Sequence, residues 1–147
     1  MKHKGNHYEY SDERDRDLLK VFNEKFTSSE MNTYVIDIMK EVVCSPSSRF
    51  WVSEDRAAIV ISNMMRDRSY LDGMIESKKR MYEEILKRTL DVIDNNPGIA
   101  LINAVRMVVA EKAPEFYITP ESAIIIIHRI KKRCYEERKR KLRHLFL

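Results

Sequence analysis

Glycine and proline are scarce here, three and four residues in a chain of 147. An all-β fold built on many tight turns needs more of both, so long helices are favoured. With Gly5, Gly73 and Gly98 as the only glycines, neither a P-loop nor a dinucleotide fingerprint can be written. Cysteine is equally sparse. Cys44 and Cys134 form no CxxC pair, which argues against a disulfide framework and a structural zinc site and suits a reducing cytoplasm. No apolar run approaches the roughly 20 residues of a membrane-spanning helix. Met1 to His7 lead into charged residues rather than an apolar stretch, so no signal peptide is expected.

The usual constellations of catalysis are missing as well. No serine sits on a glycine-flanked elbow, and neither cysteine has a histidine nearby in sequence. His3 and His7 have i, i+4 spacing, but they lie in a polar lead-in, and no carboxylate-rich helix shares a face with His128 or His144. The expectation is a non-enzymatic protein that uses neither a metal nor a cofactor.

Apolar residues make up 44% of the chain, enough for a core. The net charge of +4 conceals an asymmetry. From His128 to Leu147 there are nine Lys or Arg against Glu136 and Glu137, while the remainder of the chain is net acidic. Positive charge is therefore gathered at one end.

The chain also contains one segment twice. Displaced by 66 positions without a gap, residues 35–66 fall on 101–132. Phe50-Trp51-Val52-Ser53 lies over Phe116-Tyr117-Ile118-Thr119, Ala57 over Ala123, and Ile59 and Ile61 over Ile125 and Ile127. Paired substitutions keep their chemistry, as in Lys40/Arg106, Val60/Ile126 and Arg66/Lys132. A repeat of this length is one supersecondary unit used twice.

Periodicity and caps divide each copy into three helices. The first runs from about Asp12 to Phe26, with Ser11 as cap and Leu18, Leu19, Phe22 and Phe26 on its apolar face. Thr27-Ser28-Ser29 is read as the cap of a second helix carrying Met31, Val35, Ile38, Met39 and Val42, which ends near a small, buried Cys44. Ser53 caps a third. In the second copy a helix from about Met74 to Asp94 is broken by Asn95-Asn96-Pro97-Gly98, a short one runs from Leu101 to Ala110, and Thr119-Pro120-Glu121 opens the last. Ile124–Ile127 has strand propensity, but the caps before it and the spacing of Ile127, Ile130 and Cys134 favour a helix covered on nearly every side. The fold predicted is all-α, two tandem three-helix repeats: a flexible leader at 1–10, repeat 1 at 11–68, a connector at 69–73 and repeat 2 at 74–147.

Helix, aromatic loop and hydroxyl-capped helix, with Ala57 or Ala123 four residues after the cap, resembles the helix-turn-helix of DNA-binding domains, in which a small residue lets two helices cross closely. The loops, Ser45–Val52 and Glu111–Ile118, are about twice the usual length and lack the glycine common in that turn. The basic end and the duplicated unit, which can span two sites on one duplex, point to a nucleic-acid partner, double-stranded DNA, in a regulatory or accessory protein of a prokaryotic cell or mobile element. Candidate phosphate-binding residues are Arg66 and Arg68 in the first copy, and Arg129, Lys131, Lys132, Arg133, Arg138, Lys139, Arg140 and Lys141 in the second, with Arg49, Asn63 and His128 as candidates for more specific contacts. The alternative is a structural module with a protein partner or a second copy of itself. Under that reading, Glu136 and Glu137 pair with Arg133 and with Arg140 or Lys141, and Leu145-Phe146-Leu147 docks onto the body or a second subunit.

Overall fold

The computed structural model describes residues 10–146, which form six α-helices and no strand. They are α1 (Ser11–Ser28), α2 (Val35–Val43), α3 (Glu54–Arg66), α4 (Glu76–Asn95), α5 (Leu101–Val109) and α6 (Pro120–Phe146). Most of the leader, with His3 and His7, and the final Leu147 lie outside the described residues. Two starts follow the sequence closely. The Ser53 hydroxyl accepts from the Arg56 N–H at 3.0 Å and the Thr119 hydroxyl from the Ser122 N–H at 3.2 Å, each satisfying a donor that a helix leaves unpaired at its first turn. Gly98, at φ +85°, supplies the left-handed residue in the turn after α4.

The turn between α1 and α2 departs from expectation. Thr27, Ser28 and Ser29 donate backwards to the carbonyls of Asn23, Lys25 and Phe26, finishing α1 instead of capping α2. α2 then starts only at Val35, which leaves Met31 fully exposed in the turn.

The six helices close two cores, and neither is built from one copy alone. Phe50, Ala57, Val60, Ile61, Ile85, Val105, Val108 and Tyr117 lie in one, formed by α3, α4 and α5. Leu18, Phe22, Met39, Val42, Phe116, Ala123, Ile126 and Ile127 lie in the other, formed by α1, α2 and α6. Segments 11–68 and 74–147 therefore exchange their third helices. The aromatic loops make the crossing. Ser47 and Ala113 form a two-way antiparallel bridge at 3.0 and 3.1 Å; the Phe50 N–H donates to the Val109 carbonyl at 3.1 Å and the Phe116 N–H to the Val43 carbonyl at 3.0 Å. Each partner is the residue 66 positions from its opposite number, so the bonds repeat about a local twofold.

Burial obeys the same relation. Phe50 and Phe116, Ala57 and Ala123, Ile61 and Ile127, and Val42 and Val108 are all buried. Allowing one extra residue in the α1–α2 turn, buried Leu18 and Phe22 of α1 match buried Ile85 and Thr89 of α4. Adjacent aromatics part company: Phe50 enters the α3–α5 core while Trp51 packs on the other, and Phe116 and Tyr117 reverse this. Tyr117 stacks on Phe50 with centroids 6.0 Å apart, at a backbone φ of +55° that side chains of its size rarely adopt.

Three burial expectations are corrected. Ile59 and Ile125, again 66 apart, are 54% and 66% exposed, because a helix packed on two neighbours covers one side and not its whole circumference. Phe26 lies beyond the last packed turn of α1 and is exposed. Cys44, at the end of α2, faces out. Finally, α2 packs on α1 and α6, and α3 on α4 and α5, so the two helices either side of each aromatic loop do not touch. Ala57 and Ala123 serve close approach within the exchanged cores instead.

Candidate nucleic-acid interface

The candidate residues fall on three different settings. α6 is anchored through its first three turns by Ala123, Ile126 and Ile127 against α1 and α2. At its root two cations are already engaged with the body. Arg129 approaches Asp15 at 3.6 Å, and that carboxylate is held on its other oxygen by Arg14 at 3.1 Å, both side chains being buried. Lys131 places its ammonium 4.9 Å from the centre of the Phe22 ring, a cation–π contact that braces α6 against α1. His128 is exposed beside them.

From Lys131 to Phe146 every residue is exposed, yet the helix is unbroken. A free 16-residue segment would be marginal because nucleating a helix is costly. Here the packed first turns supply the nucleus and the rest propagates from it, about 24 Å outward at 1.5 Å per residue. Lys132, Arg133, Arg138, Lys139, Arg140, Lys141 and Arg143 have no carboxylate within ion-pair distance among the described residues. The pairing of Glu136 and Glu137 with Arg133, Arg140 or Lys141 is not formed. Arg143 and His144 in the last turn suit the negative end of the helix dipole. Leu142, Leu145 and Phe146 do not dock on the body and stay exposed.

Arg66 and Arg68 are not part of this surface. Arg66 donates to the Ser62 hydroxyl at 3.3 Å near the end of α3, and Arg68 is exposed in the turn after it. α3 belongs to the other core and makes no contact with α6.

Arg49 has a structural role. Its guanidinium lies 3.8 Å from the centre of the Tyr10 ring and donates to the carbonyls of Phe50 at 3.1 Å and Val52 at 3.4 Å, fastening the first aromatic loop. Asp17 holds the same loop by accepting from the Ser48 N–H and hydroxyl at 2.8 and 3.0 Å. On the second loop Arg80 binds Glu115 at 2.8 Å, and Arg88 reaches Glu84, Glu111 and the Lys112 carbonyl. Sequence reasoning missed these clasps, since long-range polar pairs leave no periodic signal. An open groove of about 360 Å³ runs along this second clasp between Arg80, Glu83, Lys87 and Tyr117, its opposite charges interleaved. Burial pushes the Tyr117 phenol up to about 12, with Glu115 and Glu84 adding to the effect.

No protein-family model, curated protein or solved structure matches this chain. Among the described residues no helix is long and apolar enough to cross a membrane, and no three His, Cys, Asp or Glu side chains gather as a metal site.

Proposed function

We propose that this protein binds double-stranded nucleic acid, DNA foremost, in a regulatory or accessory role, and that α6 beyond Ile130 is its binding element. One observation carries the reading: seven cations stand on an exposed helix, none of them in an ion pair among the described residues and outnumbering its two carboxylates, Glu136 and Glu137. Cations kept for folding are ordinarily paired, as Arg14, Arg80, Arg88 and Arg106 are in this molecule. Uncompensated charge held on a projecting element lowers its energy by displacing counterions from a polyanion. Lys132, Arg133, Arg138, Lys139, Arg140 and Lys141 are assigned to phosphates. Arg129 and Lys131 position the helix, and Arg66, Arg68 and His128 lie outside the main surface.

Fluorescence polarisation with a labelled random-sequence duplex tests this. Six phosphate contacts require a log–log salt slope of about −5, so affinity falls roughly 10³-fold between 50 and 200 mM salt. A variant with Lys132, Lys139, Arg140 and Lys141 changed to Glu is expected to lose binding with its circular dichroism unchanged. Salt-independent binding, or none at low salt, refutes the proposal.

A second reading rests on Tyr135, Leu142, Leu145 and Phe146, which leave the same helix 53–86% exposed at apolar positions. Under it the helix enters an apolar groove rimmed by acidic residues on a protein partner. Changing Leu145 and Phe146 to Ser separates the two, since it abolishes protein capture and leaves the salt slope on DNA intact.

A further inference from the structure

We infer that the phosphate-binding surface is shared by two copies of this chain, their α6 arms pairing antiparallel along one stripe; this rests on the nucleic-acid reading above. The stripe is Tyr135, Arg138, Leu142 and Leu145. Its spacing of three, four and three residues is that of the seam along which two helices wind together. Tyr135, Leu142 and Leu145 are each more than half exposed. α6 is unbroken from Pro120 to Phe146, so the stripe is carried away from the body and cannot fold back onto it. A cover for these side chains has to come from another molecule.

Two features of the helix select a second copy and its direction. The first is the seam itself. In an antiparallel pair centred on Arg140, Tyr135 of one arm meets Leu145 of the other, and Arg138 meets Leu142. The methylene stem of Arg138 covers the leucine while its guanidinium reaches past the seam into solvent. A parallel pair would set Arg138 against Arg138. The second feature is the difference between the flanks. At 3.6 residues per turn, Glu137 stands beside Lys141 on one flank. Moving outward from the stripe on the other flank come Lys139, Lys132 and Arg143, with Glu136 behind them. Antiparallel helices bring like flanks together. Glu137 of each arm then lies near the level of Lys141 in the other, an attraction repeated by the twofold.

The opposite flank gathers Lys139, Lys132 and Arg143 of both copies, with no carboxylate between them and the seam. This flank also determines when the pair forms. Each arm carries eight Lys or Arg between Lys131 and Phe146 against two carboxylates, so two free arms repel each other. A phosphate backbone laid along the shared flank removes that repulsion and releases counterions from both copies at once. The chain is therefore a monomer in free solution at low salt and a pair on nucleic acid. Binding is cooperative in protein concentration, because the second arm completes the surface that the first begins.

The experiment uses the full chain with Cys44 and Cys134 changed to Ser and one new cysteine, either Lys139→Cys beside the twofold axis or Lys132→Cys far from it. Each variant loses one cation. With a DNA duplex present, a short bismaleimide is expected to link Lys139→Cys into dimers and to leave Lys132→Cys monomeric; without duplex it links neither. Fluorescence polarisation on the same duplex is expected to give the unaltered chain a Hill coefficient of about 2. The double variant Tyr135→Ser, Leu142→Ser keeps every cation. It is expected to bind at least about tenfold more weakly, without cooperativity, its circular dichroism unchanged. Linking at both positions overturns the antiparallel direction. Linking at neither, with the double variant binding as the unaltered chain does, overturns pairing and leaves phosphate binding by single arms standing. Absence of binding to the duplex at low salt overturns the nucleic-acid reading and the shared surface together.

Discussion

Ile61→Ala and Ile127→Ala remove the same three carbons from the two cores, and comparing them tests whether the exchange of third helices ties those cores together. Both side chains are at most 3% exposed. Transfer of three methyl or methylene groups accounts for about 2.4 kcal/mol at roughly 0.8 each, and the cavity left behind brings such substitutions into the range of about 2–5 kcal/mol. For a chain of this size, a loss of about 3 kcal/mol lowers Tm by roughly 10 °C. In differential scanning calorimetry both variants are expected to show one transition, displaced by similar amounts. The reason lies in the loops. Phe50 and Trp51 are adjacent in the chain but enter different cores, as do Phe116 and Tyr117, and Ser47 and Ala113 bond each loop to the other. Neither core can loosen without pulling on a side chain buried in its neighbour. A split endotherm in Ile127→Ala, with one component left at the wild-type temperature, would refute this coupling.

Three further outcomes follow from single residues. Thr89 is fully buried in α4 with its hydroxyl unpartnered, so Thr89→Val, which keeps the shape and removes the desolvated oxygen, is expected to raise stability by about 1–2 kcal/mol in urea denaturation. Ala113→Pro deletes the N–H that the buried Ser47 carbonyl accepts, and a loss of at least about 1–3 kcal/mol should appear as a lower denaturation midpoint. Tyr117 holds its proton more tightly folded than unfolded, its pKa being raised from 10.0 to about 12. The stability this represents is complete below the unfolded value and falls as pH climbs from 10 towards 12. Denaturation midpoints should decline across that window, and the decline should be weaker in Tyr117→Phe.

Which of these features the sequence displays follows from how local each one is. Caps at Ser53 and Thr119, the break at Asn95–Gly98 and the apolar spacing of α3 to α6 depend on neighbours a few residues away, and the helices stand where those signals put them. The exchange of α3 and α6 could not be read. Their buried faces, Ala57-Val60-Ile61 and Ala123-Ile126-Ile127, are chemically alike, so pattern alone makes either a fit for either core. The choice falls to the direction in which the bridged loops leave α2 and α5. Ile59 and Ile125 misled for a related reason: a β-branched run records apolarity but not how many neighbours a helix will have. At the candidate site, the concentration of charge from Arg129 to Arg143 was visible in sequence. The engagement of Arg129 by Asp15, of Lys131 by Phe22 and of Arg49 by Tyr10 was not, because each depends on residues distant in the chain.

The exchanged third helix also sets a timetable for synthesis. α1 and α2 leave the ribosome first, but their native partner is the last helix of the chain. Residues 44–119 must be made before α6 begins, about 4–15 s at roughly 5–20 residues per second. Through that interval Leu18, Phe22, Met39 and Val42 lack the helix that finally covers them. The first matching surface to emerge is α3, with Ala57, Val60 and Ile61, whose own destination is the core completed by α4 and α5. A nascent chain thus meets a near-copy of the correct partner well before the correct partner exists, and correct pairing requires α3 to leave that face free or give it up when α6 arrives.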